Sequence, residues 1–300
     1  MMNHQNDKNY ICTLCPRNCK AVRRTDSSRG YCQTGTNIRV ARIAPHRWEE
    51  PCISGTNGSG TIFFSGCVLS CVFCQNSKIS TGGYGKDITT DELIGHIKRL
   101  EAMGVHNINL VSPTPYIESI IDCFEKYRPS VPIVYNTGGY EKAETIRRLD
   151  GIVDIYLPDM KYIRADIAKK YSNAENYFEY ASSALEEMVR QTGEPQFDND
   201  GMMKKGTIVR HLILPQNTRN AIEVLNWLND RFGTKILVSL MAQYTPLGRA
   251  EDYPEINRKL TAREYHKVLD HMEMLDLDGF VQELSSAKKQ FVPDFNIDKL

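Results

Sequence analysis

The chain has 300 residues, and its 37 lysine and arginine side chains balance 37 aspartate and glutamate side chains. A formal charge of zero gives no electrostatic reason to expect a nucleic acid or a membrane as partner, and no apolar run is long enough to span a bilayer. The polar N-terminus lacks the apolar core of a signal peptide. We therefore expect a cytoplasmic protein, in which cysteines are better suited to bind metals than to form disulfides, and seven of the nine fall in two close groups.

Residues 1–60 form a cysteine-rich segment that we predict to be irregular and to make up a small N-terminal unit. It ends in residues 51–60, a run of Gly, Asn and Ser typical of turns. Four of its cysteines have spacings suited either to a closed zinc site or to an auxiliary iron–sulfur cluster: Cys12, Cys15, Cys19 and Cys32. Thiolate ligands alone do not choose between these metals, and reduced cysteines without a metal are the remaining alternative.

In residues 61–300, short β-rich runs alternate with helical stretches. The predicted strands cover residues 61–65, 107–111, 132–136, 152–157, 207–214 and 235–240, with 279–284 as a candidate final strand. The predicted helices cover residues 89–103, 115–127, 141–149, 163–191, 217–231 and 261–275. Strands separated by helices imply a parallel sheet with right-handed crossovers, and six units are too few for a closed eight-stranded barrel. The expected fold is α/β, a partial (β/α)6 TIM-type barrel with the cysteine-rich segment at its N-terminus.

Three cysteines directly follow the first predicted strand with the spacing C-x3-C-x2-C: Cys67, Cys71 and Cys74. A [4Fe-4S] cluster normally has four thiolate ligands, so three leave one iron open, and an open metal position usually serves chemistry. A structural zinc site would require four ligands, commonly in two close pairs, and only one such pair spacing occurs here. The alternative is three apolar cysteines packed in a core turn.

Polar residues also occur at the later predicted strands. Thr114 follows the second strand, Asn136 ends the third, and Asp159 and Lys161 follow the fourth. The carboxyl ends of parallel strands gather at one end of a barrel, so these side chains are candidates for one site. Simpler alternatives are a helix-start turn at Thr114, a tight turn after Asn136 and a solvated ion pair between Asp159 and Lys161.

The fifth predicted strand contains two adjacent basic residues, Arg210 and His211, in an apolar run. Alternation places them on opposite faces of the strand, so one of them points into the barrel. A charge in that position requires a partner such as a carboxylate or an ionic ligand.

Together these motifs resemble the radical S-adenosylmethionine (radical SAM) superfamily, and within it the pyruvate formate-lyase activating enzyme-like branch. The resemblance rests on Cys-x2-Cys-Pro-Arg-x-Cys at residues 12–19, Gly-Ser-Gly-Thr-Ile-Phe-Phe-Ser-Gly-Cys at 58–67 and Asp-Ile-Tyr-Leu-Pro-Asp-Met-Lys-Tyr at 154–162. It spans roughly residues 10–250. The chain departs from the branch at residues 112–115, where Ser-Pro-Thr-Pro stands in place of Gly-Gly-Glu-Pro.

The resemblance implies an iron–sulfur enzyme that reductively cleaves SAM at a [4Fe-4S] cluster and generates a 5′-deoxyadenosyl radical. It assigns Cys67, Cys71 and Cys74 to the cluster, and Thr114, Asn136, Asp159, Lys161 and Arg210 to SAM binding. It also implies an electron donor of the flavodoxin or ferredoxin type and a target protein such as a glycyl radical enzyme. Two alternatives remain open: a radical SAM enzyme acting on a small molecule or a peptide side chain, and a non-catalytic metal-binding regulator.

Overall fold

The computed structural model describes residues 10–24, 30–284 and 295, and strands alternate with helices along most of them. The strands are β1 (Tyr10–Ile11), β2 (Val22–Arg23), β3 (Ile38–His46), β4 (Ser59–Phe64), β5 (Lys86–Ile88), β6 (Ile108–Val111), β7 (Ile133–Thr137), β8 (Ile155–Pro158), β9 (Gln196–Phe197), β10 (Met203–Leu212), β11 (Leu237–Met241) and β12 (Gly279–Val281). The α-helices are α1 (Pro51–Ser54), α2 (Ser77–Ser80), α3 (Thr90–Ala102), α4 (Ile117–Lys126), α5 (Ala143–Arg147), α6 (Ala165–Ser172), α7 (Tyr177–Thr192), α8 (Thr218–Phe232) and α9 (Ala262–Met272). No helix in these ranges is both long and apolar enough to cross a membrane.

One open, mostly parallel sheet organises the fold. Its strand order is β12-β11-β10-β8-β7-β6-β4-β3-β5. Neighbouring strands are parallel from β4 to β12, and β3 pairs antiparallel with both β4 and β5. The sheet does not close on itself, since β12 and β5 lie at its two ends. This arrangement confirms the predicted partial α/β barrel, and β12 supplies the candidate final strand.

Alternation along the strands separates an outer apolar layer from an inner one. On the outer side, Ile62 and Leu110 pack with Ile97 of α3 and Ile120 of α4, and all four are fully buried. Burial of each such side chain contributes roughly 1.5–3 kcal/mol to folding. The inner layer comprises Val134, Ile155, Leu157 and Ile208 of the strands, together with Cys52 and Ile53 of α1. Both layers hold the strand ends, and thus the loops that follow them, in fixed positions.

The predicted helix over residues 163–191 is wrong in one respect, because the structure has two helices there. α6 ends at Ser172, and the following Asn173 has φ 48° in the left-handed region. The N–H of Asn173 donates to the carbonyl of Lys169 at 3.0 Å. Asparagine adopts this conformation more readily than most residues and often ends a helix. The periodic apolar pattern continues across the break, so periodicity alone did not reveal it.

Strand β3 lies inside the segment that we predicted to be irregular. It pairs with β4 from Val40 opposite Phe64 to His46 opposite Ser59, and α1 occupies part of the run predicted as a loop. The alternation of buried Ile38 and Val40 with partly exposed Arg39 is the signal that this prediction missed. The division into an N-terminal segment of residues 1–60 and a barrel of residues 61–300 remains a proposal.

Candidate active site

The loop after β4 places the cysteine triplet at the carboxyl end of the parallel strands. Gly66 opens this loop with φ 86°, and a Cβ at this position would lie 2.7 Å from the carbonyl oxygen of Cys32. Glycine is therefore required for the loop to pass so close to the N-terminal segment. The side chains of Cys67, Cys71 and Cys74 are all partly buried in the loop.

The donor set of the triplet fits the [4Fe-4S] cluster that the resemblance implies. Burial raises the pKa of the Cys67 thiol to about 12, and the neighbouring Cys71 and Cys74 act in the same direction, so the three groups lie close together. Within residues 10–24, 30–284 and 295, no three Cys, His, Asp or Glu side chains meet closely enough to hold a single metal ion. A four-iron cluster offers a separate iron to each thiolate, so its ligands do not have to meet at one point. The assignment of the triplet to this cluster stays a prediction.

The Asp159–Lys161 pair lies beside the triplet. The Nζ of Lys161 contacts Oδ2 of Asp159, and the two side chains are only 17% and 27% exposed. Burial by itself would lower the pKa of Lys161, but Asp159 and Cys71 outweigh it and raise that pKa above its usual value. Lys161 is therefore a partly buried cation next to Cys71, rather than half of a solvated surface pair. A cation in this position can bind a carboxylate.

Tyr177 joins the loop after β7 to the loop after β8. Its hydroxyl lies 2.9 Å from the carbonyl oxygen of Gly138 and 2.8 Å from that of Asp159, and it accepts the N–H of Lys161 at 3.0 Å. Gly139, with φ 82°, packs so tightly that a Cβ there would collide with the backbone oxygen of Asp159. Sequence reasoning missed Tyr177, because nothing in its local pattern shows which loops its hydroxyl reaches.

Thr114 and Thr137 meet at a buried carboxyl group that sequence reasoning also missed. Both hydroxyls donate to Oε1 of Glu141, and the hydroxyl of Tyr135 lies 3.4 Å from the same oxygen. Glu141 is fully buried, and its Oε2 has no hydrogen-bond partner in the described part of the chain. The Thr114 hydroxyl thus holds two neighbouring loops together. Whether Thr114 also contacts SAM stays a prediction.

Asn136 lies between these elements at the end of β7. Its carbonyl oxygen accepts the N–H of Ser112 at 2.8 Å, and Ser112 has φ 59°, a left-handed conformation uncommon for residues other than glycine. The backbone of the Ser112 turn is therefore fixed against β7. The role of Asn136 in SAM binding stays a prediction.

Replacing Glu141 with glutamine is expected to change how stability depends on pH. Burial raises the pKa of Glu141 from its ordinary value of 4.5 to about 7, since its hydroxyl donors offset the desolvation only in part. The folded state therefore holds this proton more tightly than the unfolded chain does. Wild-type stability should fall by roughly 3 kcal/mol as the pH rises through this interval, and Glu141→Gln should remove that fall.

Urea unfolding at several pH values measures this effect. The matched control is Glu144→Gln, which changes an exposed glutamate of α5 and should leave the wild-type pH dependence intact. Identical slopes of stability against pH for the wild type and Glu141→Gln would contradict a buried, protonated Glu141.

Arg210 points into the barrel, and its charge is neutralised by two glutamates. Its Nε donates to Oε1 of Glu50 at 2.8 Å, its Nη2 donates to Oε2 of Glu50 at 2.6 Å, and Nη2 also contacts Glu49. Asn109 of β6 donates to Oε1 of Glu49 at 3.1 Å. His211 points to the other face and contacts the carbonyl of Met160, as the alternation predicts. The partner that Arg210 requires is thus a carboxylate pair within the chain, and its contact with SAM stays a prediction.

The four N-terminal cysteines differ in their burial. Cys12, Cys15 and Cys32 are buried, whereas Cys19 is exposed. The Nη2 of Arg23 lies 3.5 Å from the sulfur of Cys12 and 3.2 Å from that of Cys32. Arg23 itself is buried, so its guanidinium is enclosed with these two sulfurs. The second metal site stays a prediction.

Comparison with known proteins gives a family match and several more distant similarities. Residues 61–228 match the family model described as the radical SAM superfamily. The chain is 29% identical over 277 residues to an uncharacterized protein of Methanocaldococcus jannaschii, covering 89% of this chain and 75% of that protein.

Solved structures with a similar chain course are more distant, at 14% identity each. Methylornithine synthase (PylB) has a TM-score of 0.47, with 69% of this chain and 59% of that chain covered. HydG, a maturase of the [FeFe]-hydrogenase, has a TM-score of 0.49, with coverage of 72% and 49%. Streptococcus suis SuiB bound to its precursor peptide SuiA has a TM-score of 0.48, with coverage of 74% and 48%. The chain spans about half the length of these solved proteins.

The family match begins in β4 and ends in α8. The matched residues include the cysteine triplet, the Asp159–Lys161 pair and Arg210. From the sequence, we predicted these residues to lie in or after successive strands of the sheet. The family implies an enzyme with a [4Fe-4S] cluster and SAM, whose chemistry the cofactors supply and whose geometry the protein sets. Because the match covers more than half of the chain, the protein belongs to the radical SAM superfamily.

Proposed function

We propose that this radical SAM protein is a pyruvate formate-lyase activating enzyme-like enzyme that installs a glycyl radical in a partner protein. The observation that supports this most is the Asp159–Lys161 pair beside Cys71, because the Asp-x-Lys sequence at this strand end resembles that branch. The second supporting feature is the Gly138–Gly139 turn. The hydroxyl of Tyr177 bonds to the carbonyl oxygens of both Gly138 and Asp159, and so links this turn to the loop that contains the Asp159–Lys161 pair.

The residues of the chain would bind and orient SAM. When bound, the cluster and SAM supply a one-electron cleavage of the sulfonium C–S bond, which yields methionine and a carbon radical able to remove a hydrogen atom. Lys161 would hold the methionine carboxylate, and Asp159 keeps Lys161 charged and oriented. A Cβ at Gly138 would lie 3.1 Å from Leu69, so this turn packs directly on the triplet loop, where it would help to exclude water.

Each such cleavage consumes one electron, so the proposal includes an external one-electron donor of the flavodoxin or ferredoxin type. The triplet is partly rather than fully buried, which suits electron transfer from a docked protein. The hydrogen atom would come from a glycine of the partner protein, leaving 5′-deoxyadenosine and a glycyl radical as products.

The test combines the reconstituted full-length protein with SAM, a reductant and candidate glycyl radical enzymes. The expected result is 5′-deoxyadenosine together with the EPR signal of a glycyl radical in the partner, in matching amounts. 5′-Deoxyadenosine without that signal in any candidate would instead support a small-molecule or peptide substrate. A protein with full iron content that forms no 5′-deoxyadenosine would support the non-catalytic metal-binding regulator.

We also propose that the N-terminal cysteines hold a second metal, either zinc or an auxiliary iron–sulfur cluster. The buried thiols of Cys12 and Cys32, both in contact with the Arg23 guanidinium, support this proposal, because a cation in this position would balance the negative charge of metal-bound thiolates. Metal analysis of the wild type and of a Cys12→Ser, Cys15→Ser double variant tests it. The double variant should lose zinc, or part of its iron, and retain the metal of the triplet.

A further inference from the structure

The hydroxyl of Ser172 makes a direct hydrogen bond to a cysteine of the triplet. Its Oγ donates to the sulfur of Cys71 at 3.0 Å. Two other polar contacts to the triplet sulfurs in the described part of the chain are longer, at 3.4 Å from Leu69 N to Cys67 and 3.4 Å between Ser80 and Cys74. Ser172 is fully buried, and a hydrogen bond in such a low-dielectric position is electrostatically stronger than one in water.

A second hydroxyl orients the first. The hydroxyls of Tyr162 and Ser172 lie 2.8 Å apart, and Tyr162 is fully buried as well. If Ser172 donates its proton to Cys71, its oxygen is the acceptor for the proton of Tyr162. The two hydroxyls then form a chain that ends at the thiolate, and each bond in such a chain polarises the next.

The backbone on both sides fixes this contact. The carbonyl oxygen of Tyr171 accepts the N–H of Val72 at 2.9 Å. These two residues are the chain neighbours of Ser172 and Cys71. Arg17 reaches across the same junction: its Nε donates to the carbonyl of Val68 at 2.7 Å and its Nη2 to the carbonyl of Ser172 at 3.1 Å. The guanidinium also stacks on the ring of Tyr31 at 3.9 Å. The end of α6 and the triplet loop are therefore held together from two directions.

We propose that Ser172, oriented by Tyr162, is a positioning residue that raises the reduction potential of the cluster held by the triplet. Reduction adds negative charge that is shared by the cysteine sulfurs, and a hydrogen bond to Cys71 stabilises that added charge. The proposal requires a cluster at Cys67, Cys71 and Cys74. It does not depend on the identity of the substrate or on glycyl radical formation.

The test is an EPR-monitored redox titration of the reconstituted full-length protein without SAM. Ser172→Ala should keep the wild-type iron content, and its midpoint potential should fall. A tenfold decrease in the equilibrium constant for one-electron reduction corresponds to a fall of about 59 mV in the midpoint potential. Tyr162→Phe, which leaves the Ser172 hydroxyl in place, should give a smaller fall. Ser182→Ala removes a partly exposed hydroxyl that donates to the carbonyl of Glu179 in its own helix, and it should leave the potential unchanged.

A Ser172→Ala protein with full iron content and the wild-type potential would overturn the proposal. If Ser172→Ala does not retain its cluster, the potential of Tyr162→Phe is the deciding measurement. The Tyr162 hydroxyl bonds to Ser172 and not directly to a triplet sulfur, so its loss should not prevent cluster assembly. An unchanged potential in Tyr162→Phe would then overturn the proposal. The measurement needs neither SAM nor a partner protein, so its outcome is separate from that of the glycyl radical test.

Discussion

Replacing Cys67, Cys71 or Cys74 with alanine is expected to abolish assembly of the [4Fe-4S] cluster and, with it, cleavage of SAM. Each replacement would leave two thiolates for a cluster that the triplet is predicted to hold with only three. Iron and sulfide analysis together with the visible absorption spectrum measure assembly. The amount of 5′-deoxyadenosine formed with a strong reductant measures cleavage, which should fall below detection.

The matched control is Cys123→Ala. Cys123 is fully buried in α4 and packs in the outer apolar layer, so its loss removes a small apolar group and no metal ligand. This variant should keep its iron and its cleavage activity, with a modest loss of stability. A triplet variant that retains the wild-type iron content and still forms 5′-deoxyadenosine would refute the assignment of the triplet.

The Arg210→Met variant is expected to be destabilised by about 3–5 kcal/mol, the typical cost of removing one partner from a buried ion pair. Glu49, Glu50 and Arg210 have side chains that are only 8%, 5% and 12% exposed. Methionine preserves much of the packing volume but leaves two carboxylates without their cation. Urea or thermal unfolding at neutral pH measures the loss of stability.

Lowering the pH should reduce this difference between the variant and the wild type. Burial alone would raise the pKa of Glu50, but Arg210 holds it below its usual value. The pair therefore stabilises the wild type above the unfolded-state pKa of the carboxyl group, and this contribution is lost as the pH falls. Without Arg210 the Glu50 carboxylate takes up a proton more readily, so the cost of the mutation should shrink in acid.

Two comparisons isolate the buried charge. Adding Glu49→Gln and Glu50→Gln to Arg210→Met should recover part of the lost stability, because neutral amides cost less to bury than unpaired carboxylates. Arg219→Met breaks an exposed pair with Glu223, in which the arginine is 79% exposed, and should cost less than about 1 kcal/mol. Equal losses for Arg210→Met and Arg219→Met would contradict the structural role of the buried pair.

Local pattern was sufficient to predict much of the barrel. Thr89 and Glu92 form a capping box at the start of α3, and Gly104, with φ 76°, follows its end, close to the predicted boundaries. The buried runs that became β4, β6, β7, β8, β10 and β11 are apolar, short and separated by periodic segments. Such signals are local, since they depend on neighbours a few residues away.

Short-range spacing in the sequence was enough to identify the superfamily with its SAM-dependent chemistry, and the loops in which the candidate ligands lie. The reason is that C-x3-C-x2-C lies within one loop and Asp-x-Lys within another. The tertiary structure decided which partners meet. Glu50 reaches Arg210 across 160 positions, Ser172 reaches Cys71 across 101, and Arg17 reaches Ser172 across 155. These contacts depend on how strands and helices pack, and burial then determines the charge that each group carries. The distance between residues along the chain contains no information on that packing, so only the folded protein could reveal the network behind the triplet.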